Sequence, residues 1–399
     1  MSKIIEVKET IRDKYSLFNI KRFKFGNLSI ERPTRVIDSK NIRYKHIFSL
    51  FEDRPIIFEK SIFVNLKRFC KVVNALGSKK VVDHFGVPSF EKDYPRYISV
   101  TLTFNPIRDF KSQKTAKDYL EGYLFYYKHY STSVLLVPNI KIYRYIKQGN
   151  RVSKEVVATA DEFINLIDTM YDILDYRDNK PIFVPLSLRF SMNDISKLAK
   201  HYIKREYYNV WIDFEGGAVT EDRIARIHKF MRVFDELGLF DKLVVIATNV
   251  RREIISNIKK DYTPASDALA SLIGANIIGV NREPLRPVEG QLVIERSKLR
   301  EHKARIFDHT RYYYFKAIIA DWLDQEIRLK VLNDVKTNVA FNIRLVDEEF
   351  CRQADSLLEK GSVKDHIYNK QMLQEYKQGS LIKALLNIER GTSKITEWF

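Results

Sequence analysis

Residues 209–217 read Asn-Val-Trp-Ile-Asp-Phe-Glu-Gly-Gly, an apolar strand pattern that ends in two carboxylates and two glycines. Comparable apolar runs occur at 181–189, 242–249 and 275–284, and helix patterns separate them. Nearly continuous apolar strands that alternate with helices are typical of a parallel sheet buried on both faces. This stretch therefore predicts an α/β fold.

The number of strands predicts the architecture. Strand-like runs near residues 35, 57, 97 and 132 precede those near 181, 209, 242 and 276. Eight strands are what a (β/α)8 barrel requires. We predict a (β/α)8 TIM-barrel-like core over 97–290, a basic N-terminal segment over 1–96 that contributes the early strands, and a helical C-terminal region over 291–399.

Two further segments are assigned by pattern. Residues 146–159 are polar, contain glycine, and are predicted to form a loop or a hairpin extension. A long apolar stripe from Lys298 to Leu332 predicts a helix, and the aromatic run at 311–315 would lie in its buried face.

Polar side chains follow the buried strands at their carboxyl ends, where barrel proteins carry their chemistry. Asp213 and Glu215 stand two apart, so in an extended strand end they would point to the same side and act as the catalytic pair. An alternative is a turn in which Asp213 accepts hydrogen bonds from local amides. The remaining candidates, which would bind the ligand, are Arg189, Gly216, Gly217, Asn249, Asn281 and Arg282.

These ligand-binding candidates have different chemistry. Gly216 and Gly217 would let a planar ligand approach the backbone. Arg189 would meet a phosphate or a carboxylate, and the alternative is pairing with a neighbouring acid on the surface.

The positive charge is concentrated at the start of the chain. The formal net charge is +17. Residues 1–96 hold 21 Lys and Arg against 11 Asp and Glu, which gives +10 (21 − 11). Cations bind phosphates and aromatic rings stack on bases. A segment that contains both, as this one does, favours contact with DNA or RNA over a merely solvated basic face. The candidate nucleic-acid-binding residues are Lys21, Arg22, Lys24, Arg32, Arg35, Arg43 and Lys45.

Several classes of function are disfavoured by what the sequence lacks. There is no phosphate loop of the GxxxxGK[ST] type, no GxGxxG dinucleotide motif, no HExxH and no GxSxG elbow. Without these motifs we predict no cofactor and no metal site. Cys70 and Cys351 belong to no CxxC pair, which disfavours a zinc knuckle or a disulfide framework and predicts a reducing cytoplasmic location. No apolar run is long enough for a membrane-spanning helix.

The second half of the predicted barrel resembles the tRNA-guanine transglycosylase family. Phe214-Glu215-Gly216-Gly217-Ala218-Val219 stands where that family has its double-glycine strand end, with the strands at 182–186 and 243–248 on either side. Gly274-Ala275-Asn276-Ile277-Ile278-Gly279 matches the last unit, although the family's nucleophilic aspartate would fall at Gly279 and its zinc cysteines are absent. The resemblance implies a divergent member that has either lost base exchange or rebuilt it around Asp213 or Glu215.

Three hypotheses about function follow. The first is a barrel protein that acts on nucleic acid, such as a base-exchange or glycosidic-bond enzyme, with Asp213 as nucleophile or electrostatic stabiliser and Glu215 as proton-transfer partner. The second is a non-catalytic nucleic-acid-binding or assembly protein on a degenerate barrel. The third is a barrel enzyme for a small anionic metabolite, steered to the site by the positive field.

Overall fold

A computed structural model describes most of the chain. The described residues are 5–39, 49–51, 54, 56–65, 94–103, 133–149, 151–176, 179–254, 262–281, 303–318 and 325–386. Arg43, Lys45 and Arg282, which the sequence suggested as binding residues, lie outside these ranges.

Eight parallel barrel strands form the centre of the molecule. The first and the fourth are each bent, so that each is divided into two short segments. In chain order the strands are Thr34–Arg35 with Ile37–Asp38, Phe58–Asn65, Arg96–Thr103, Leu135–Leu136 with Asn139–Ile140, Ile182–Ser187, Asn209–Asp213, Val244–Thr248 and Ile277–Ile278.

Hydrogen bonds close these strands into a ring. Each strand pairs in parallel with the next, and the eighth pairs with the first. At the bend in the first strand, the backbone N–H of Val36 donates to Ile278 O (2.9 Å) while that of Ile37 donates to Ile57 O (2.9 Å). The two sides of this strand therefore serve different neighbours, and the predicted eight-stranded barrel is confirmed.

Three helices cover the outside of the second half of the barrel, as the alternating pattern predicted. They span Ala160–Asp175, Met192–Lys204 and Glu221–Glu236, and their apolar faces pack against the outward-facing strand residues. Ser191 caps the second of these helices by accepting a hydrogen bond from Asp194 N (3.2 Å).

A three-stranded antiparallel sheet covers the amino-terminal end of the barrel. Its strands are Val7–Arg12, Asn19–Phe25 and Leu28–Ile30. Alternation along the second strand directs Phe23 and Phe25 into the barrel, where they pack with Tyr97 and Trp211. This end of the barrel is therefore filled by apolar side chains.

A β-hairpin extends from the fourth barrel strand, as the sequence suggested for this region. Its antiparallel strands are Tyr143–Gln148 and Arg151–Val156. We call it the basic hairpin, because it carries four cations and one carboxylate: Arg144, Lys147, Arg151, Lys154 and Glu155.

The C-terminal region begins with strands and continues as helices. Lys303–Asp308 and Tyr313–Ile318 form an antiparallel pair, and Tyr262–Pro264 adds a third strand. The predicted helix from Lys298 to Leu332 is therefore wrong over 303–318, where buried aromatic residues such as Tyr314 favour a strand. The helices that follow are Gln325–Asn333, Val335–Lys360, Lys364–Tyr368, Gln371–Glu375 and Ser380–Leu386.

A buried carboxylate joins these C-terminal elements. Glu349, on the long helix Val335–Lys360, accepts hydrogen bonds from Tyr312 Oη (2.6 Å) and Lys370 Nζ (3.1 Å) and pairs with His366. A cavity of about 450 Å³ lies beside this cluster, between His309 and the long helix. Within the described residues, no helix is long and apolar enough to cross a membrane.

Candidate active site at the carboxyl end of the barrel

The barrel interior changes from apolar to polar along its axis. Its lower part contains Tyr97, Phe183, Trp211, Ile246 and Ile277, which are all buried. Nearer the carboxyl ends of the strands lies a set of buried polar side chains that we call the polar layer: Glu59, Ser99, Thr101, Asn139, Asp213 and Thr248. A polar layer at this end is where the fold supports chemistry.

Glu59, on the second barrel strand, is a carboxylate that the sequence analysis did not select. Its side chain is fully buried. It accepts hydrogen bonds from Thr248 Oγ1 (2.6 Å), from the backbone N–H of Val280 (2.7 Å), from Tyr97 Oη (3.1 Å) and from Ser99 Oγ. Four donors from three separate parts of the chain thus converge on one anion, which offsets the cost of burying it.

Asp213, at the end of the sixth strand, is also buried. Its Oδ1 accepts hydrogen bonds from the backbone N–H of Glu215 (2.8 Å) and from Asn249 Nδ2 (3.1 Å), and its Oδ2 accepts one from Thr101 Oγ1. The hydrogen bond from Glu215 N closes the local turn that the sequence offers as the alternative to an extended strand end. Asp213 therefore has a structural role at the strand end as well as a position in the polar layer.

Glu215 does not stand beside Asp213 on an extended strand. The sixth strand ends at Asp213, and Glu215 adopts a left-handed backbone conformation with φ 51°. The strand alternation therefore does not extend to Glu215, and the expectation of an extended strand end over 213–215 is wrong. Glu215 instead accepts a hydrogen bond from Arg189 Nε (2.9 Å), the surface pairing that was the alternative for that arginine.

Asn139 is the unsatisfied member of the polar layer. Its side chain is fully buried, and neither its Nδ2 nor its Oδ1 has a hydrogen-bond partner among the residues that the structure describes. Asn139 lies opposite Thr101 in the parallel register, so it shares the inward face with the hydroxyl that binds Asp213. Because an unpaired buried amide is costly, such a group points to a bound ligand or water that completes it.

Three arginines lie at the edge of the polar layer. Arg223, in the first turn of the helix Glu221–Glu236, extends back under Gly217, whose Cβ position its guanidinium would overlap. Burial, and next the nearby charge of Arg189, together lower the pKa of Arg223 to about 10, whereas Glu215 opposes the shift. Arg251 adds to the positive charge, and its backbone N–H donates to Gly217 O (2.9 Å).

The other ligand-binding candidates lie on the same edge. Asn249 has a left-handed backbone (φ 57°), and its side chain serves Asp213. Gly216 (φ 70°) donates its backbone N–H to Asn249 O (3.0 Å), so the turn requires glycine there. Asn281 follows the eighth strand and is half-buried.

The basic residues of the N-terminal segment do not form one exposed surface. Lys21 is buried and donates from Nζ to the backbone oxygens of Phe240 (2.6 Å) and Leu243. Arg35 is buried in an ion pair with Asp267 (3.1 Å). The prediction that Lys21 and Arg35 contact nucleic acid is therefore corrected, since both are buried and their partners lie inside the protein.

Three of these basic residues remain accessible. Arg22 is about half exposed and pairs with Glu9 (2.6 Å), Lys24 is exposed, and Arg32 is half-buried. Their proposed contact with nucleic acid stays a prediction.

Sequence reasoning missed Glu59, Asn139 and Arg223. A signal existed for the first two, because Glu59 directly follows the apolar run 56–58 and Asn139 lies within the apolar run 134–140, where burial demands partners. Arg223 gave no signal, since an arginine in a first helical turn is unremarkable until the tertiary structure places it under Gly217. Within the described ranges, no group of three or more His, Cys, Asp or Glu residues is arranged to hold a metal ion.

Comparisons with known proteins give only distant likenesses. No protein-family model and no curated protein matches the sequence. The chain is similar to a double mutant of flavocytochrome b2 with sulfite bound, at 12% identity and a TM-score of 0.37, over 90% of this chain and 72% of that chain. The recombinant flavin-binding domain of baker's yeast flavocytochrome b2 is 9% identical with a TM-score of 0.34, over 87% of this chain and 70% of that chain. An aldolase is 7% identical with a TM-score of 0.28, over 62% of this chain and 88% of that chain.

Likenesses of this strength say nothing about activity. The barrel fold is established by the hydrogen-bonded order of its eight strands.

Proposed function

We propose that this protein is a (β/α)8-barrel enzyme whose substrate carries a phosphate or carboxylate group. The anionic group would bind Arg189, Arg223 and Arg251, and the reacting part of the substrate would enter the polar layer beside Asn139 and Asp213. The observation that carries the proposal is the partly buried guanidinium of Arg223, which lies against Gly217 at the strand end and close to the like charge of Arg189.

The charge balance at this edge supports an anionic ligand. Arg223 lies near the like charges of Arg189 and Arg251, while the carboxylates of Glu215 and Asp213 oppose them, and Glu215 pairs with Arg189. Like charges held close together in a partly buried site repel one another, and a bound anion removes that repulsion. Guanidinium groups also match the geometry of phosphate and carboxylate oxygens, which makes arginine the usual residue in such sites.

The polar layer supports a reaction beside the anion site. Asn139 offers a carbonyl oxygen and an amide N–H₂ that have no hydrogen-bond partner in the described part of the chain, so it can both accept from and donate to a substrate. Asp213 lies on the same inward face, reached through Thr101. Polar groups that are fixed in place before the substrate arrives stabilise developing charge without reorganising.

The narrower hypothesis is base exchange on a nucleic acid, with Asp213 as nucleophile and Glu215 as proton-transfer partner. It stays a prediction, and two contacts bear on it. The oxygens of Asp213 already accept hydrogen bonds from Thr101, Glu215 and Asn249, which weakens a nucleophile. The place where the resembled family has its aspartate is Gly279 here, and the Glu59 carboxylate takes up the space beside it.

Binding of inorganic phosphate and pyrophosphate, measured by calorimetry, tests the proposal. We expect Arg223→Ala and Arg189→Ala to weaken binding by tenfold or more, because each removes a charge-assisted hydrogen bond worth about 1.5–3 kcal/mol. Arg232→Ala is the matched control, since Arg232 pairs with Glu236 on the exposed face of the same helix. Equal affinities for all four proteins, or no binding by the unaltered protein, would contradict the proposal.

A further inference from the structure

The basic hairpin has two different faces. Directly opposed residues of an antiparallel pair lie on the same face, and so do residues two apart on one strand. One face therefore carries Arg144 and Glu155, which form an ion pair, together with Ile146 and Ser153. The other, which we call the tyrosine face, carries Tyr143, Tyr145, Lys147, Val152, Lys154 and Val156.

The tyrosine face is cationic, aromatic and without a carboxylate. In the part of the chain that the structure describes, neither Lys147 nor Lys154 has an acidic partner, and Lys154 Nζ lies 5.9 Å from the centre of the Tyr145 ring. Tyr145 is 59% exposed and Val152 is 64% exposed. Large apolar side chains so exposed, with unneutralised cations between them, mark a surface that binds a partner.

The surface continues toward the mouth of the barrel. Lys141 lies two residues before the hairpin, and its Nζ is 5.6 Å from the centre of the Phe63 ring. Phe63 is 58% exposed near the carboxyl end of the second barrel strand. It stands opposite Thr101 in the register, on the strand side that faces the barrel axis. A second aromatic–cation pair thus lies between the hairpin and the polar layer.

We infer that the tyrosine face binds single-stranded nucleic acid and directs it toward the barrel mouth. Lysines neutralise backbone phosphates, and exposed aromatic rings stack on bases irrespective of sequence. The two-stranded hairpin presents lysine and tyrosine side chains together on this one face. This inference goes beyond the proposed function, because the binding does not depend on any chemistry in the polar layer.

Fluorescence anisotropy with the full chain tests the inference, with labelled single-stranded DNA and RNA oligonucleotides of about 20 nucleotides, enough to span more than one site of this kind. Tyr145→Ala should weaken binding by roughly fivefold or more, because one stacked base is lost. The double variant Lys147→Ala with Lys154→Ala should reduce the magnitude of the slope of log affinity against log salt by about 1.4, which is about 0.7 for each phosphate contact on a single strand. Comparison of the DNA and RNA oligonucleotides shows which polymer the face prefers. Tighter binding of one polymer, or equal binding of both, supports the inference.

The matched control removes the same charge elsewhere. Lys200 and Lys204 are exposed on the helix Met192–Lys204, away from the hairpin, and their double alanine variant should bind as the unaltered protein does. Equal losses in the hairpin and control variants would overturn the inference, as would no binding to either polymer. A hairpin face that pairs with a second copy of the chain would also overturn it. In that case Tyr145→Ala would change the mass measured by sedimentation and leave oligonucleotide affinity unchanged.

Discussion

The carboxylate of Glu59 and the backbone of Gly279 share one space inside the barrel. A Cβ built on Gly279 would overlap Glu59 Oε2 and the side chain of Thr248. Gly279, which directly follows the eighth strand, therefore leaves its inward position free of a side chain, and the carboxylate of Glu59 on the second strand occupies that space. The second and eighth strands lie on either side of the first strand, so Glu59 and Gly279 meet at the place where the barrel closes.

Gly279→Ala should destabilise the protein by about 1–3 kcal/mol, the usual cost of adding a methyl group to a packed interior. Chemical denaturation measures this change. In a Glu59→Ala background the cost should fall, because the overlapping carboxylate is gone. A cost that is the same in both backgrounds would show that the two residues do not compete for this space.

Asn139→Leu should separate stability from ligand binding. Leucine has a similar size and leaves no buried polar group unpaired, so we expect the free energy of unfolding to rise by about 1–3 kcal/mol. Turnover or binding of any ligand that enters the polar layer should be lost. Asn19→Leu is the control, since Asn19 is also buried but is hydrogen-bonded to Leu17 O (2.8 Å) and Asn276 (2.9 Å), and it should lose stability. Destabilisation by both substitutions would mean that Asn139 is satisfied.

Gly217→Ala should act on the anion site through Arg223. The new methyl group would overlap the guanidinium, which can move because it is the end of a flexible side chain. We expect phosphate binding to weaken about as much as in Arg223→Ala, with a smaller change in melting temperature than a core substitution causes. Gly238→Ala serves as a comparison, because the space around Gly238 is open but its φ of 67° strains an alanine, so this variant should lose stability and keep its phosphate affinity. Unchanged phosphate affinity in Gly217→Ala would place the anion elsewhere.

Lys21 should make stability depend on pH. Burial lowers its pKa to about 7, from an ordinary value of 10.5. Between these values the unfolded chain keeps the proton and the folded protein has lost it, so the unfolded state binds more protons and stability rises with pH. Below pH 7 both states are protonated, and the contribution stays at its lowest.

The matched variant for this prediction is Lys21→Met. From pH 7.5 to 9.5 the unaltered protein should gain about 1.4 kcal/mol per pH unit relative to the variant. Denaturation at a series of pH values measures the difference. Parallel curves for the two proteins would show that Lys21 is not neutral in the folded state.

The sequence by itself determined the barrel. Eight apolar runs, several of them followed by amphipathic patterns, specify parallel strands whose order is given by the chain, because both strand burial and helix periodicity are local properties. Asp213, Arg189 and the two glycines at 216 and 217 could be placed at the carboxyl-end edge for the same reason. The aromatic run near Tyr314 was assigned to a helix because strand and helix patterns overlap in short apolar stretches.

Only the tertiary structure decided which polar groups meet. Glu59 joins Thr248 across 189 residues of chain, and Thr101 joins Asp213 across 112, and no sequence spacing encodes such contacts. Burial of Lys21 and Arg35 likewise depends on partners far along the chain, so total charge did not show which cations face solvent. Local patterns fix where strands begin and end, whereas barrel closure fixes which inward side chains share a layer.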